Sequence, residues 1–103
     1  VDSIQGEDQV EELQINNVLT GAKSSLPVSG VFIAIGQKPN TDLFKGLLSL
    51  DANGYIITNE KMETSVPGIF AAGDIRSGSI RQVIAAAGDG AVAAVSADRY
   101  LHS

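Results

Sequence analysis

Cysteine is absent from the 103 residues. That excludes a disulphide framework, a thiolate metal site and a thiol nucleophile within this chain. Histidine occurs once, at His102, so a His-rich metal site is excluded as well; so close to the C-terminus, His102 reads as frayed tail rather than as a catalytic base. Tryptophan is absent, and aromatics are few. Basic residues are scarce and scattered, seven Lys and Arg against twelve Asp and Glu, for a net charge of −5. Binding to a phosphate backbone draws on clustered cations, so a nucleic-acid binder is excluded. No apolar run approaches membrane-spanning length. The opening "VDSIQGEDQV" has neither the basic start nor the apolar centre of a signal peptide, which makes the cytoplasm the simplest location. The missing initiator Met before Val1 reads as a cut chain.

What is present is apolar and rich in small residues: 44% hydrophobic, with eleven glycines, many beside alanine. Such pairs suit close backbone packing or close approach to a ligand. Val1–Gln5 and Val10–Ile15 alternate around a "GED" turn, which predicts a β-hairpin, with a short third strand near Leu26–Val28. "GVFIAIG", Gly30–Gly36, is continuously apolar and β-branched, the pattern of a strand buried on both faces. Pro39 then forces a turn. Thr41 is the expected N-cap of a short helix, "DLFKGLL". "YIIT" and "IFAAG", Ile69–Gly73, predict two further short strands. Phe32 and Tyr55 are expected in the core. Ile80, Val83, Ile84, Ala87, Ala91, Ala94, Val95 and Leu101 recur at three- and four-residue spacing, predicting a helix over 80–101. Ser79 and Gln82 match a capping box. Gly88 and Gly90 weaken that helix and call for compensating close packing.

The stretch "FAAGDIRSGSIRQVIAAAGDGAVAA" carries the chemistry. An aspartate at the carboxyl end of a strand can accept hydrogen bonds from sugar-alcohol hydroxyls, and the crevice beyond strand ends is where open α/β sheets bind ligands. A preceding glycine allows a bulky group to approach the main chain. The helix that follows opens with unpaired N–H groups and partial positive charge, suited to an electron-rich carbonyl. Local pattern alone also permits a plainer reading, in which Asp74 is a turn residue and Arg81 a solvated helix residue. The acidic set Glu7, Asp8, Glu11 and Glu12 lacks the oxygen-rich loop spacing of a cation site and reads as a solvated hairpin edge. Lys38 reads as solvated, with Pro39 and Asn40 fixing the turn.

The order "GVFIAIGQKPNT", "GYIIT", "TSVPGIFAAGDI" and "RQVIAAAGDGAVAA" resembles the C-terminal third of bacterial-type, low-molecular-weight thioredoxin reductases, class II pyridine nucleotide-disulphide oxidoreductases. The resemblance covers essentially the whole chain. It implies an α/β architecture, a partial FAD/NAD(P)-binding, Rossmann-like fold of mostly β-strands plus one long C-terminal helix. It implies that 1–35 closes an NADPH-binding domain and 36–103 closes an FAD-binding domain. Asp74 would bind the ribityl chain of FAD, Gly73 would let the cofactor approach, and Ile75 would bind the cofactor beside them. Arg81, Gln82 and Val83 would lie along the flavin ring, their main-chain N–H groups near its pyrimidine carbonyl. Polarising that carbonyl favours the reduced, anionic flavin. The implied activity passes electrons from NADPH through FAD to the disulphide of a thioredoxin-like protein, in a homodimer.

No G-x-G-x-x-G loop opens a βαβ unit here, and "GAKSSLPVSG" does not qualify because it precedes no helix. C-x-x-C is absent too. The chain alone is therefore expected to be inactive and to bind FAD weakly or not at all. Two other readings stand beside the flavin disulphide reductase. One is a related ferredoxin or alkyl-hydroperoxide reductase subunit, against which "RQV" argues mildly. The other is a non-catalytic binding domain that kept the scaffold.

Overall fold

A computed structural model describes residues 1–103, which divide into two units, Val1–Gly36 and Gln37–Ser103. The first is an antiparallel meander of β1 (Ser3–Gln5), β2 (Glu12–Asn16) and β3 (Lys23–Pro27). Its register aligns Ile4, Leu13 and Leu26 in one cross-strand row and Ser3, Gln14 and Ser25 in the next. Because side chains alternate faces along a strand, the rows lie on opposite faces. Gln14 Nε2 ties the polar row together by donating to Ser25 Oγ at 2.7 Å. The β1–β2 turn depends on Gly6: with φ at +153°, a Cβ there would stand 1.8 Å from the Gln9 carbonyl oxygen. The predicted hairpin forms, and the third strand forms earlier than expected, over Lys23–Pro27 rather than near Leu26–Val28.

The expected strand over Gly30–Gly36 does not. These residues pair with nothing; Phe32 is fully exposed rather than in the core, and Ile33 and Ile35 are exposed with it. An apolar run becomes a doubly buried strand only when neighbouring strands pair with it and helices cover it; within residues 1–36 the three strands pair only with one another and there is no helix.

The second unit is held by single bridges rather than long ladders. Ile56 sits at their crossing: it bridges Leu50 on one side and Arg76 on the other. The Ile56 N–H donates to the Ile75 carbonyl at 2.9 Å, and the Ser77 N–H donates to the Ile56 carbonyl at 2.8 Å. Leu48, Ile56 and Ala71 form the core, packed by Phe44, Leu50, Val66, Ile69 and Ile75. The predicted strands "YIIT" and "IFAAG" are thus reduced to a bridge residue each, Ile56 and Phe70, and Gly73–Ile75 winds into a 3₁₀ turn. Ile56 and Ala71 are buried while Ile57 is exposed, and a short run without a full-length partner has few ladder bonds to make.

Thr41 precedes a single 3₁₀ turn, Asp42–Phe44, and does not cap it. Its hydroxyl donates instead to the Gly54 carbonyl at 2.5 Å, which buries Thr41 almost completely.

The long helix α1 runs Val83–Leu101, starting three residues later than the spacing predicts. The capping box does not form: Ser79 Oγ accepts the Arg81 N–H at 3.1 Å, and Arg81 takes a left-handed φ of 55° that no helix can pass through. Nor do Gly88 and Gly90 pack on a backbone; a Cβ at either would meet open space. The face of α1 that packs on its own unit is small and polar, with Ala86, Asp89, Ala93 and Ser96 along it. Tyr100 closes its far end, edge-on to Phe70 at 6.3 Å. The larger apolar side chains Val83, Ile84, Val95 and Leu101 are exposed.

Candidate functional site

The site begins at the tight turn after Ala72. Gly73 is buried with φ at 81°, a conformation that costs glycine little and other residues more. The absence of a side chain is used as well: a Cβ on Gly73 would lie 3.2 Å from Ala86 Cβ, so the turn rests directly on the first turns of α1. Asp74, next in the turn, is exposed, and no hydrogen bond within the chain uses its carboxylate. That disfavours the plainer reading of Asp74 as a turn-capping residue. The cap comes from elsewhere: the Gly73 N–H donates to Asp89 Oδ2 at 3.1 Å.

Asp74 and Ile75 line a cavity of about 430 Å³ with Gln37, Lys38, Pro39, Asn40 and Tyr55. Its volume is that of a small-molecule cleft. Its wall mixes an unpaired carboxylate, an amide pair, an ammonium group and an aromatic ring. Tyr55 joins the two halves of the predicted site: it lines this cavity beside Asp74, and its hydroxyl accepts a hydrogen bond from Arg81 Nη1 at 2.6 Å. The Arg81 guanidinium carbon also stands 5.2 Å from the Tyr55 ring centroid, within cation–π range.

From Arg81 the chain passes through Gln82, extended at φ −123° and ψ 144°, into α1. The first helical bond runs from the Ala86 N–H to the Gln82 carbonyl at 3.0 Å. The amides of Val83, Ile84 and Ala85 therefore have no partner inside the helix. No other part of the chain covers this mouth: Val83 is 90% exposed and Ile84 84%. Strain at Arg81 is the local price of turning the chain sharply there, and strained non-glycine backbone concentrates at binding sites.

The structure therefore gathers Gly73, Asp74 and Ile75 in one turn and Arg81, Gln82 and Val83 in one segment, with Tyr55 lining the same cavity as Asp74 and Ile75 and hydrogen-bonded to Arg81. Three contributors escape the sequence reading. Tyr55 is on the cavity wall, where it had been expected in the core. Arg76 and Asp89 form an ion pair, Nε to Oδ2 at 2.9 Å, beneath the turn. The Arg76 hydrogen bond, and then that of the Gly73 amide, hold the Asp89 carboxyl below the usual aspartate range. An acid on the small-residue face of α1, three residues after Ala86, was the one available signal.

Comparison with known proteins gives this geometry its class. The family model for pyridine nucleotide-disulphide oxidoreductases matches residues 1–90, and the chain belongs to that family. Within it, the chain is 43% identical over its whole length to thioredoxin reductase of Peptoclostridium acidaminophilum, spanning 35% of that protein. It is 46% identical over 96% of its length to the 34.2 kDa protein in rubredoxin operon of Clostridium pasteurianum, spanning 32% of it. The crystal structure of thioredoxin reductase from Streptococcus pyogenes MGAS5005 superposes with a TM-score of 0.78 at 45% identity, over 96% of this chain and 33% of that one. The chain thus spans about a third of the length of the relatives it matches, and its sequence and fold fit a segment of a thioredoxin reductase, with three antiparallel strands and one long helix from a Rossmann-like FAD-binding architecture.

Proposed function

We propose that this chain forms the flavin-facing C-terminal part of an FAD-dependent reductase that passes electrons from NADPH to the disulphide of a thioredoxin-like protein. Residues 1–35 belong to the closing strands of the NADPH-binding domain and 36–103 to the FAD-binding domain. The observation that carries the reading is the convergence at Tyr55: a free carboxylate on one side, Asp74, and on the other the segment leading to an open helix mouth.

The residues present fit such a cofactor in three respects. The Asp74 carboxylate, unspent within the chain, is an acceptor for ribityl hydroxyls. Gly73 leaves the main chain approachable. The amides of Gln82 and Val83, at the positive end of α1, offer donors to a pyrimidine carbonyl. FAD bound here supplies the two-electron carrier between nicotinamide and disulphide. The protein groups orient the ring, and the helix terminus favours negative charge at the carbonyl it faces, which stabilises the reduced form. The apolar side chains left bare, Val83, Ile84 and Val95 on α1 and Phe32 and Ile35 before Gln37, are covered by the remaining two thirds of the enzyme and its dimer partner.

The test is a graft. With this chain replacing the matching third of Streptococcus pyogenes thioredoxin reductase, the hybrid should retain FAD and reduce thioredoxin with NADPH. A hybrid that folds but carries no flavin contradicts the reading. The chain alone should be colourless and inactive.

A further inference from the structure

We propose that Asp89 is a positioning residue that fixes the distance and orientation between the two halves of the flavin site, an inference that rests on the reading above. Its carboxylate lies on the packed face of α1, with the side chain only 16% exposed. It makes three bonds at once. Oδ2 accepts the Gly73 N–H at 3.1 Å and Arg76 Nε at 2.9 Å, while Oδ1 accepts Arg76 Nη2 at 3.3 Å. The remaining Arg76 nitrogen, Nη1, donates to Thr58 Oγ1 at 3.0 Å.

Gly73 and Arg76 are the two ends of the turn that carries Asp74, and the Arg76 N–H closes it on the Gly73 carbonyl at 3.0 Å. One carboxylate on α1 therefore grips both ends of the turn. The amide mouth of the site is the start of the same helix, six residues before Asp89 at Val83. A bidentate arginine–carboxylate pair has a fixed plane, so it sets orientation as well as distance. The contact of Gly73 with Ala86 sets how close turn and helix can come. Asp89 then holds them there, and Asp74 keeps its free carboxylate for the ligand because another acid does the capping.

Two readouts on the full chain separate this proposal from the flavin reading. The first needs no flavin: amide hydrogen exchange by NMR in Asp89→Asn. Asparagine keeps the size and one acceptor oxygen but loses the charge that pairs with Arg76. Exchange at Gly73 and Arg76 should accelerate by about tenfold or more, while amides of Ala93–Tyr100 in α1, the internal control for folding, keep their protection. Arg76→Gln should give the same local pattern. Unchanged exchange at Gly73 and Arg76 in both variants overturns the proposal. The second readout is titration with FAD at up to millimolar concentration, followed by amide shifts, where even weak binding registers. In the native chain, Asp74, Ile75, Gln82 and Val83 should move together; in Asp89→Asn the apparent affinity should fall by about tenfold, with Asp89→Glu recovering part of it. If Asp89→Asn binds FAD as the native chain does, the positioning role is overturned and the flavin reading stands. If FAD moves no amide at either half in the native chain, the cofactor role of Asp89 is overturned, while the flavin reading stands or falls with the graft.

Discussion

Replacing Gly73 by alanine tests the tightest contact in the site. Two separate penalties follow from the structure. The first is conformational: Gly73 has φ at 81°, and a Cβ in left-handed backbone costs about 1–2 kcal/mol. The second is steric: the new Cβ would lie 3.2 Å from Ala86 Cβ, so α1 must retreat by a few tenths of an ångström. Overpacking of that kind costs about 1 kcal/mol at the low end of its range. Together they predict a loss of about 2–3 kcal/mol, a large share of the stability of a small domain. The assay is urea unfolding followed by the helical circular dichroism of α1. A second variant divides the two penalties. Ala86→Gly alone should cost about 1 kcal/mol, from the poor helix propensity of glycine. In the double variant the steric part vanishes and the conformational part stays, so the combined loss should fall short of additivity by about 1 kcal/mol. Strict additivity would show that turn and helix do not touch there. A Gly73→Ala variant within about 0.5 kcal/mol of the native chain, the scatter expected of neutral surface changes, would refute the whole description of the turn.

Three further outcomes are expected. Ile56→Ala, at a 3% exposed crossing of the bridges, should destabilise the chain by about 2–5 kcal/mol in the same urea assay. Asp74→Asn, at an exposed carboxylate that bonds to nothing in the chain, should leave the urea midpoint unchanged while lowering FAD retention in the grafted enzyme. Acid should weaken the fold through two carboxylates. Asp89, held by Arg76 and the Gly73 amide, and Asp51, held by the Ser77 hydroxyl and the Tyr55 amide, both have folded pKa values below the ordinary 3.8. A depressed folded value means the unfolded chain binds protons first. The stabilisation is therefore complete above about pH 4 and is lost as pH falls from there through the folded values. Urea midpoints measured between pH 6 and pH 3 should fall only at the acid end, and less steeply in Asp89→Asn.

Sequence reading succeeded where a segment supplies its own partners. The hairpin needs only strands a few residues apart and a turn, so Ile4, Leu13 and Leu26 align as their alternation predicts. The long helix follows from its spacing. The expected strand at Gly30–Gly36 fails for the opposite reason: its burial depends on neighbours that the chain does not contain, and a pattern records a preference without saying whether the partner is present. Bridges at Ile56 and Phe70, where strands were expected, have the same cause. At the site, Gly73, Asp74 and the Arg81–Val83 segment were legible because the chemistry of a strand end and a helix start is local. Tyr55, twenty-six residues before Arg81, and Asp89, thirteen after Arg76, were not, because their roles are made by tertiary contact. The late start of α1 turns on one choice, the Ser79 hydroxyl accepting from Arg81 rather than capping the helix, which residue types alone leave open.

The central claim is that Asp74 and the mouth of α1 face one flavin. A crystal structure of the grafted enzyme with FAD measures it most directly. The account predicts the Asp74 carboxylate within about 3 Å of a ribityl hydroxyl and the Val83 amide within about 3.2 Å of a pyrimidine carbonyl oxygen, both hydrogen-bonded distances. A flavin whose ribityl chain lies away from Asp74, or whose pyrimidine edge meets other protein with the Gln82–Val83 amides left in water, would contradict it.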